Sequence, residues 1–168
     1  MGASGARSSD ASHAGKDLTI TRLLDAPRAM VFKAWTDAKH VAQWWGPHEF
    51  TNPRCEWDLR PGGEMRIDML GPDGMVFAMS GVFHEVVEPE RIVYTNSGLD
   101  EDGEKTFEIL VTVRFVEQGR KTVVSVHSRV LRAGPGAEKY LAEMEMGWTQ
   151  CIERLGEFAG RETLEKRT

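Results

Sequence analysis

The sequence predicts an α+β fold, with about seven strands of curved antiparallel sheet wrapped around one long C-terminal helix. Two short helices are expected after the first strand. Three observations lead there. Apolar and polar residues alternate through much of 55–130, the period of half-buried strands. Tight-turn signals such as Arg60-Pro61-Gly62-Gly63 and Gly71-Pro72-Asp73-Gly74 separate these runs, and such short connections join antiparallel neighbours. Near residue 137 the apolar spacing changes to three and four, the period of a helix.

The elements follow in order. Leu18 to Leu24 alternates and is rich in β-branched residues, so it reads as a strand, stopped by Asp25-Ala26-Pro27. Asp25 is the expected N-cap of a first helix, with Pro27 in its first turn. Met30, Val31, Ala34 and Trp35 then recur at helical spacing. A second helix, about 38–45, carries Val41, Trp44 and Trp45 and ends at Gly46-Pro47. Cys55, Trp57 and Leu59 begin the period of two, and Met65, Ile67 and Met69 continue it. Strands are expected over about 75–87, 91–96, 107–115 and 124–130, with an acidic loop at 97–104. After Gly134-Pro135-Gly136, the residues Leu141, Met144, Trp148, Ile152, Leu155 and Ala159 form one apolar stripe on a helix of about 23 residues. At 1.5 Å per residue that helix spans about 35 Å, enough to cross a sheet.

Composition narrows the class. The 168 residues suit one domain, and a net charge of −5 without a Lys/Arg cluster argues against nucleic acid as a partner. No apolar run approaches the roughly 20 residues of a membrane span. Cys55 and Cys151 are too far apart for a metal-binding pair and too few for a disulfide framework, so they read as reduced thiols of a cytoplasmic protein. Residues 1–16 are Gly, Ala and Ser with scattered charges, lack a signal sequence, and read as a disordered tail. Met1-Gly2 is followed by Ala6 where a myristoylation signal wants Ser or Thr. The domain is expected over 17–160, with a C-terminal tail at 161–168.

A twisted seven-strand sheet curves, and one helix about 10 Å wide does not fill its concave face. A hollow is therefore expected between sheet and helix. Met30, Trp35, Trp44 and Trp45, from the short helices, are the expected lining at one edge. Met69, Phe77 and Met79 would line it from the strands, and Met144, Trp148 and Ile152 from the long helix. Gly147 is expected to permit a close approach by sheet or ligand.

The succession of local motifs is specific. It comprises Arg22 to Pro27 with Val31-Phe32-Lys33-Ala34-Trp35; Trp44-Trp45-Gly46-Pro47; Asp58 to Gly63; Gly71 to Gly74; Glu85 to Thr95; and Gly147-Trp148 in a helix continuing to Leu155. Together they cover about 17–160, and they resemble the helix-grip fold of the START-like superfamily, within it the bacterial homologues of the heat-shock-protein ATPase activators. The resemblance implies a pocket between sheet and C-terminal helix, but no single activity, since members include binders and cyclases.

Catalytic signatures are missing: there is no GxSxG, GxGxxG or GxxxxGK[ST]. His40, His48, His84 and His127 include no i, i+4 pair, so neither a metal nor a cofactor is expected. His48 and His84 are the candidates for a polar group in the cavity. Asp58 and Arg60 read as a structural pair anchoring the turn that follows. The leading expectation is a binder of a small hydrophobic or aromatic molecule. The alternatives are a cyclase-, dehydratase- or hydrolase-like enzyme using one cavity acid or base, and a stress-related interaction domain. A homodimer is compatible with each.

Overall fold

A computed structural model describes residues 15–134 and 137–167. The elements are β1 (Asp17–Leu24), α1 (Arg28–Thr36), α2 (Ala38–Trp44), β2 (Thr51–Trp57), β3 (Glu64–Leu70), β4 (Val76–Val87), β5 (Arg91–Leu99), β6 (Lys105–Gln118), β7 (Lys121–Ala133) and α3 (Glu138–Arg167). The strands form one antiparallel sheet in the order β1-β7-β6-β5-β4-β3-β2. β2 to β7 make a continuous meander, as tight turns dictate. β1 and β2 are consecutive in the chain yet lie at opposite edges, so α1 and α2 carry the chain from one edge to the other.

The expected strand faces are the buried ones. Met65, Ile67 and Met69 of β3, Phe107, Ile109, Val111, Val113 and Phe115 of β6, and Val124, Val126 and Val130 of β7 all point into the core. So does the whole predicted stripe of α3, joined by Cys151 and Phe158. At 30 residues α3 is about 45 Å long. It runs through Arg167, beyond the expected start of a tail at 161. Residues 161–167 contain no Gly or Pro to stop it, and buried Thr163 returns its hydroxyl hydrogen to the Ala159 carbonyl at 2.7 Å.

Other boundaries differ for physical reasons. Pro27, not Asp25, is the N-cap of α1, and no side chain caps it. Asp37 caps α2 by accepting the Lys39 N–H at 2.9 Å. β5 continues through Leu99 instead of ending at 96, because Gly98 pairs with Phe107 and lets that ring lie directly over its backbone. The Phe107 ring then stacks on Tyr140 of α3, centroids 4.1 Å apart, tying helix to sheet. β2 starts at Thr51 and includes Pro53, which is tolerated because β2 is an edge strand with a register shift there.

The expected pair forms: Arg60 Nε donates to both Asp58 oxygens at 2.9 and 3.2 Å, exposed to solvent. Gly147 behaves differently from expectation, since nothing comes within 4 Å of the place a Cβ would take. Of the predicted N-terminal tail, residues 1–14 lie outside the described residues; the Gly15 N–H and Lys16 carbonyl extend the β7 ladder through Val130. Pro135 and Gly136 likewise lie outside the description.

Candidate functional site

The space between sheet and α3 receives an aromatic residue from nearly every element around it. α1 delivers Trp35, the end of α2 delivers Trp44 and Trp45, β2 delivers Trp57, β4 Phe83, β5 Tyr94 and α3 Trp148. The helical residues arrive there because each lies on its helix's apolar face. The strand residues arrive because each occupies an inward position of the two-residue period.

The rings meet one another. Trp35 lies 5.0 Å from Trp44, 6.3 Å from Trp45 and 6.3 Å from Trp148, centroid to centroid. Trp45 contacts Trp57 at 5.7 Å and Trp148 at 5.9 Å. Trp57 in turn touches Phe83 at 5.2 Å and Tyr94 at 6.4 Å. Most contacts are edge-to-face, the arrangement the ring quadrupoles favour. The space expected to be hollow is therefore largely occupied by rings, because all five tryptophans are delivered to one layer. Hollows open at the surface among the described residues. One, of about 570 Å³, lies along the flank of α1 between Met30, Phe32, Leu59 and Glu88. Another, of about 540 Å³, lies against α3 beside His48 and Met146.

The polar edges of this cluster are unusual. Trp44 donates its N–H to the Ala34 carbonyl at 2.9 Å. The indole N–H groups of Trp35, Trp57 and Trp148 are buried without a partner, as are the Tyr94 hydroxyl and the Asn96 Oδ1. Most buried polar groups in folded proteins are paired, so such a concentration demands a reason. No charge relieves it. Burial, and behind it the neighbouring Cys151 and Tyr140, pushes the Tyr94 hydroxyl well above its ordinary value; the Trp35 side chain, acting as a donor toward it, opposes this. Burial pushes the Cys151 thiol up to about 12. Both groups are therefore protonated at neutral pH. Arg154, three residues along α3, turns away and donates to the carbonyls of Trp45, Gly46 and Pro47 from Nη1 and of Gln43 from Nη2.

The residues singled out from sequence separate into groups. Trp44, Trp45 and Trp148 belong to the aromatic cluster, with Ile152 buried beside them on α3. Met144 receives the Ser128 hydroxyl on its sulfur at 3.7 Å, between helix and β7. Met79 is buried opposite Ile67, whereas Met69 pairs with Phe77, which is 45% exposed and packs on Phe50 at the sheet's end. Met30 lines the hollow beside α1.

Both histidines lie at the surface. His48 Nε2 is 3.0 Å from the Glu153 carboxylate, and His84 Nε2 is 3.1 Å from the Thr95 hydroxyl, so neither reaches the interior. His84 misses it because Phe83 takes the inward position, and His84 is left on the exposed side at the register shift of β4 between Phe83 and Glu85. Among the described residues no group of three or more His, Cys, Asp or Glu side chains is placed to hold a metal ion. Sequence reasoning missed Trp57, Tyr94 and Asn96 as site residues. Trp57 stood in an alternating run, and Tyr94 and Asn96 in an expected strand, but only the folded sheet brings β2 and β5 to the same centre.

A family model described as Activator of Hsp90 ATPase homolog 1-like protein matches residues 25–160. The chain belongs to that family. A structure from Nitrosomonas europaea is similar at 27% identity over 87% of this chain and 95% of that one, with a TM-score of 0.70. A protein from Rhizobium leguminosarum is similar at 26% identity over 87% and 95%, with a TM-score of 0.76. The fold also recurs in the AHSA1 protein of Silicibacter pomeroyi, 23% identical over 89% of this chain and 99% of that one, with a TM-score of 0.74. No curated protein sequence matches. The match covers α1 through most of α3, so every aromatic residue of the cluster lies inside the family domain.

Proposed function

We propose that this domain binds one small hydrophobic or aromatic molecule between the sheet and the C-terminal helix, among Trp35, Trp45, Trp57, Tyr94 and Trp148. The observation that carries the reading is the set of buried, unpaired polar edges on four of those rings, Trp35, Trp57, Tyr94 and Trp148. Each unpaired buried group costs about 1–3 kcal/mol, a burden with no purpose in a purely structural core. A guest that parts the rings and pairs with these edges removes the penalty. The hollow bounded by Met30, Phe32 and Leu59 is separated from the cluster by packed rings, Phe32 on Phe115 at 5.3 Å and Phe115 on Trp35 at 6.0 Å, which a guest entering there would have to displace. Met30 is the flexible side chain at that mouth.

An acid–base enzyme finds less support. Among the described residues no Asp, Glu, His, Lys or Arg is fully buried, and the Tyr94 hydroxyl and Cys151 thiol beside the cluster are held protonated. The exposed run Met75, Val76 and Phe77 at the start of β4 is the feature favouring an interaction role.

The test is a panel of uncharged bicyclic aromatics, fatty acids and polyketides, read by thermal shift and tryptophan emission. A ligand at one hundred times its Kd stabilises by about 2.7 kcal/mol, a rise of roughly 5–10 °C at this size. The reading is abandoned if no compound moves either signal.

A further inference from the structure

We infer, building on the binding reading above, that the guest is an uncharged apolar molecule carrying a hydrogen-bond-accepting oxygen, such as a ketone, ester or aryl ether. The inference rests on the kind of polar edge that is unpaired. Indole N–H groups donate and never accept, and three of them, from Trp35, Trp57 and Trp148, are buried without a partner. The Tyr94 hydroxyl can donate a fourth, while the unpaired pure acceptors are the Asn96 Oδ1, two residues along β5, and the Asn52 Oδ1, whose amide nitrogen is held on the Ala42 and Trp45 carbonyls. The donor excess selects for a guest that brings acceptors. A guest whose polar group only donates would leave every indole N–H unmet.

Charge excludes the commonest acceptor. A carboxylate would accept these donors well, but it would enter a site with no cation of its own. No Lys or Arg is fully buried among the described residues. Arg154, the guanidinium on the same helix as Trp148, is held on four backbone carbonyls at 2.9–3.2 Å and faces the loop after α2. Burying an ion without a counter-charge costs several kcal/mol, more than neutral N–H donors return. The same desolvation keeps Tyr94 and Cys151 neutral, and it acts equally on a guest. A neutral carbonyl or ether oxygen meets the donors without that cost. The rings then select a flat skeleton, because the surfaces offered are ring faces and edges.

Three probes of one skeleton test this by calorimetric titration of the whole chain at pH 7.5: naphthalene, 2-acetylnaphthalene and 2-naphthoate. The ketone is expected to bind about tenfold tighter than naphthalene, the worth of one or two neutral hydrogen bonds, and tighter still than the carboxylate. Tyr94→Phe and, separately, Trp148→Phe should each lower the ketone's advantage, read as the ratio of the naphthalene and ketone Kd values within the same variant, by about threefold. A ketone no tighter than naphthalene, a carboxylate as tight as the ketone, or an advantage untouched in both variants overturns the inference and leaves apolar binding standing. If none of the three binds, and the broader panel is also silent, the binding reading falls with it.

Discussion

Replacing Arg154 with methionine keeps the length of the side chain and removes its guanidinium. The guanidinium closes the C-terminal end of α2: Nη1 lies 2.9 Å from the Trp45 carbonyl, 3.1 Å from Gly46 and 2.9 Å from Pro47, and Nη2 lies 3.2 Å from Gln43. The last carbonyls of a helix have no intrahelical partner, and they form the negative end of its dipole. α2 has only seven residues, too few to hold helical structure without docking. Gly46 presents its carbonyl from a left-handed turn, φ +93°, and a Cβ there would come within 3.3 Å of the Met69 sulfur. One charged donor group is worth about 1.5–3 kcal/mol, and water replaces part of it at this half-exposed site. The expected loss for Arg154→Met is therefore about 2 kcal/mol, or roughly 4–8 °C in Tm for a chain of this length. Arg154→Lys should recover less than half, because a single ammonium does not match a fork spread over four carbonyls. Urea unfolding of the three proteins, with exposed Arg161→Met as control, measures it. A loss under about 0.5 kcal/mol for Arg154→Met, or full recovery by lysine, would show that the clamp is ornamental.

Neighbouring glycines in the turn before β3 should behave unequally. Gly62 has φ +84° and open space around it, so Gly62→Ala costs only the strain of that conformation, about 1–2 kcal/mol. An added Cβ at Gly63 collides with the Asp58 carbonyl oxygen, a backbone atom, and should cost at least about 3 kcal/mol. Equal losses in urea unfolding would refute the distinction. Alkaline pH should also destabilise the fold. The Cys151 thiol rises from 9.0 to about 12 on folding, so its contribution is intact below pH 9. Above that, the unfolded chain releases a proton that the folded chain keeps, and stability falls by up to about 1.4 kcal/mol per pH unit from this thiol. Cys151→Ala should flatten that slope between pH 9 and 11, and an unchanged slope would assign the loss elsewhere. In the native protein at pH 8, Cys151 should resist a thiol reagent until the chain is unfolded, and Cys55, pushed up to about 11, should react slowly.

The fold was legible because its two periods do not overlap. Met65-Ile67-Met69 and Phe107 to Phe115 read as strand faces from alternation alone, and both faces are buried. Leu141 to Ala159 read as a helix by the same reasoning, and that stripe is buried too. What failed locally depended on partners far away in sequence. The extension of β5 through Gly98 needs the Phe107 ring, nine residues on and in another strand. The cap of α1 at Pro27 needed no side chain, so the N-cap chemistry of Asp25 misled. For the site, apolar side chains at inward positions were visible, as Trp44, Trp45 and Trp148 demonstrate. His84 was a candidate on residue type alone, and it lies exposed at a register shift in β4 that its local sequence does not announce. The unpaired edges of Trp35, Trp57 and Tyr94 were invisible, because pairing is a property of the assembled interior.

Those edges also separate two accounts of the interior that burial alone leaves equal. If the cluster were core and nothing more, phenylalanine at position 94 would serve better than tyrosine. It keeps the ring contacts with Phe83 at 6.0 Å and Trp57 at 6.4 Å and removes a hydroxyl that has no partner. Tyr94→Phe is then a change that relieves a buried polar group without opening a cavity, so the empty protein should become more stable, by about 1 kcal/mol. A site shaped for a guest predicts the same gain together with weaker binding of an acceptor-bearing ligand. Stability and affinity moving in opposite directions in one variant is a signature that simple core packing does not produce. A Tyr94→Phe protein that is less stable than its parent would mean that the hydroxyl is already satisfied, and the unpaired interior from which the binding site is argued would lose its strongest member.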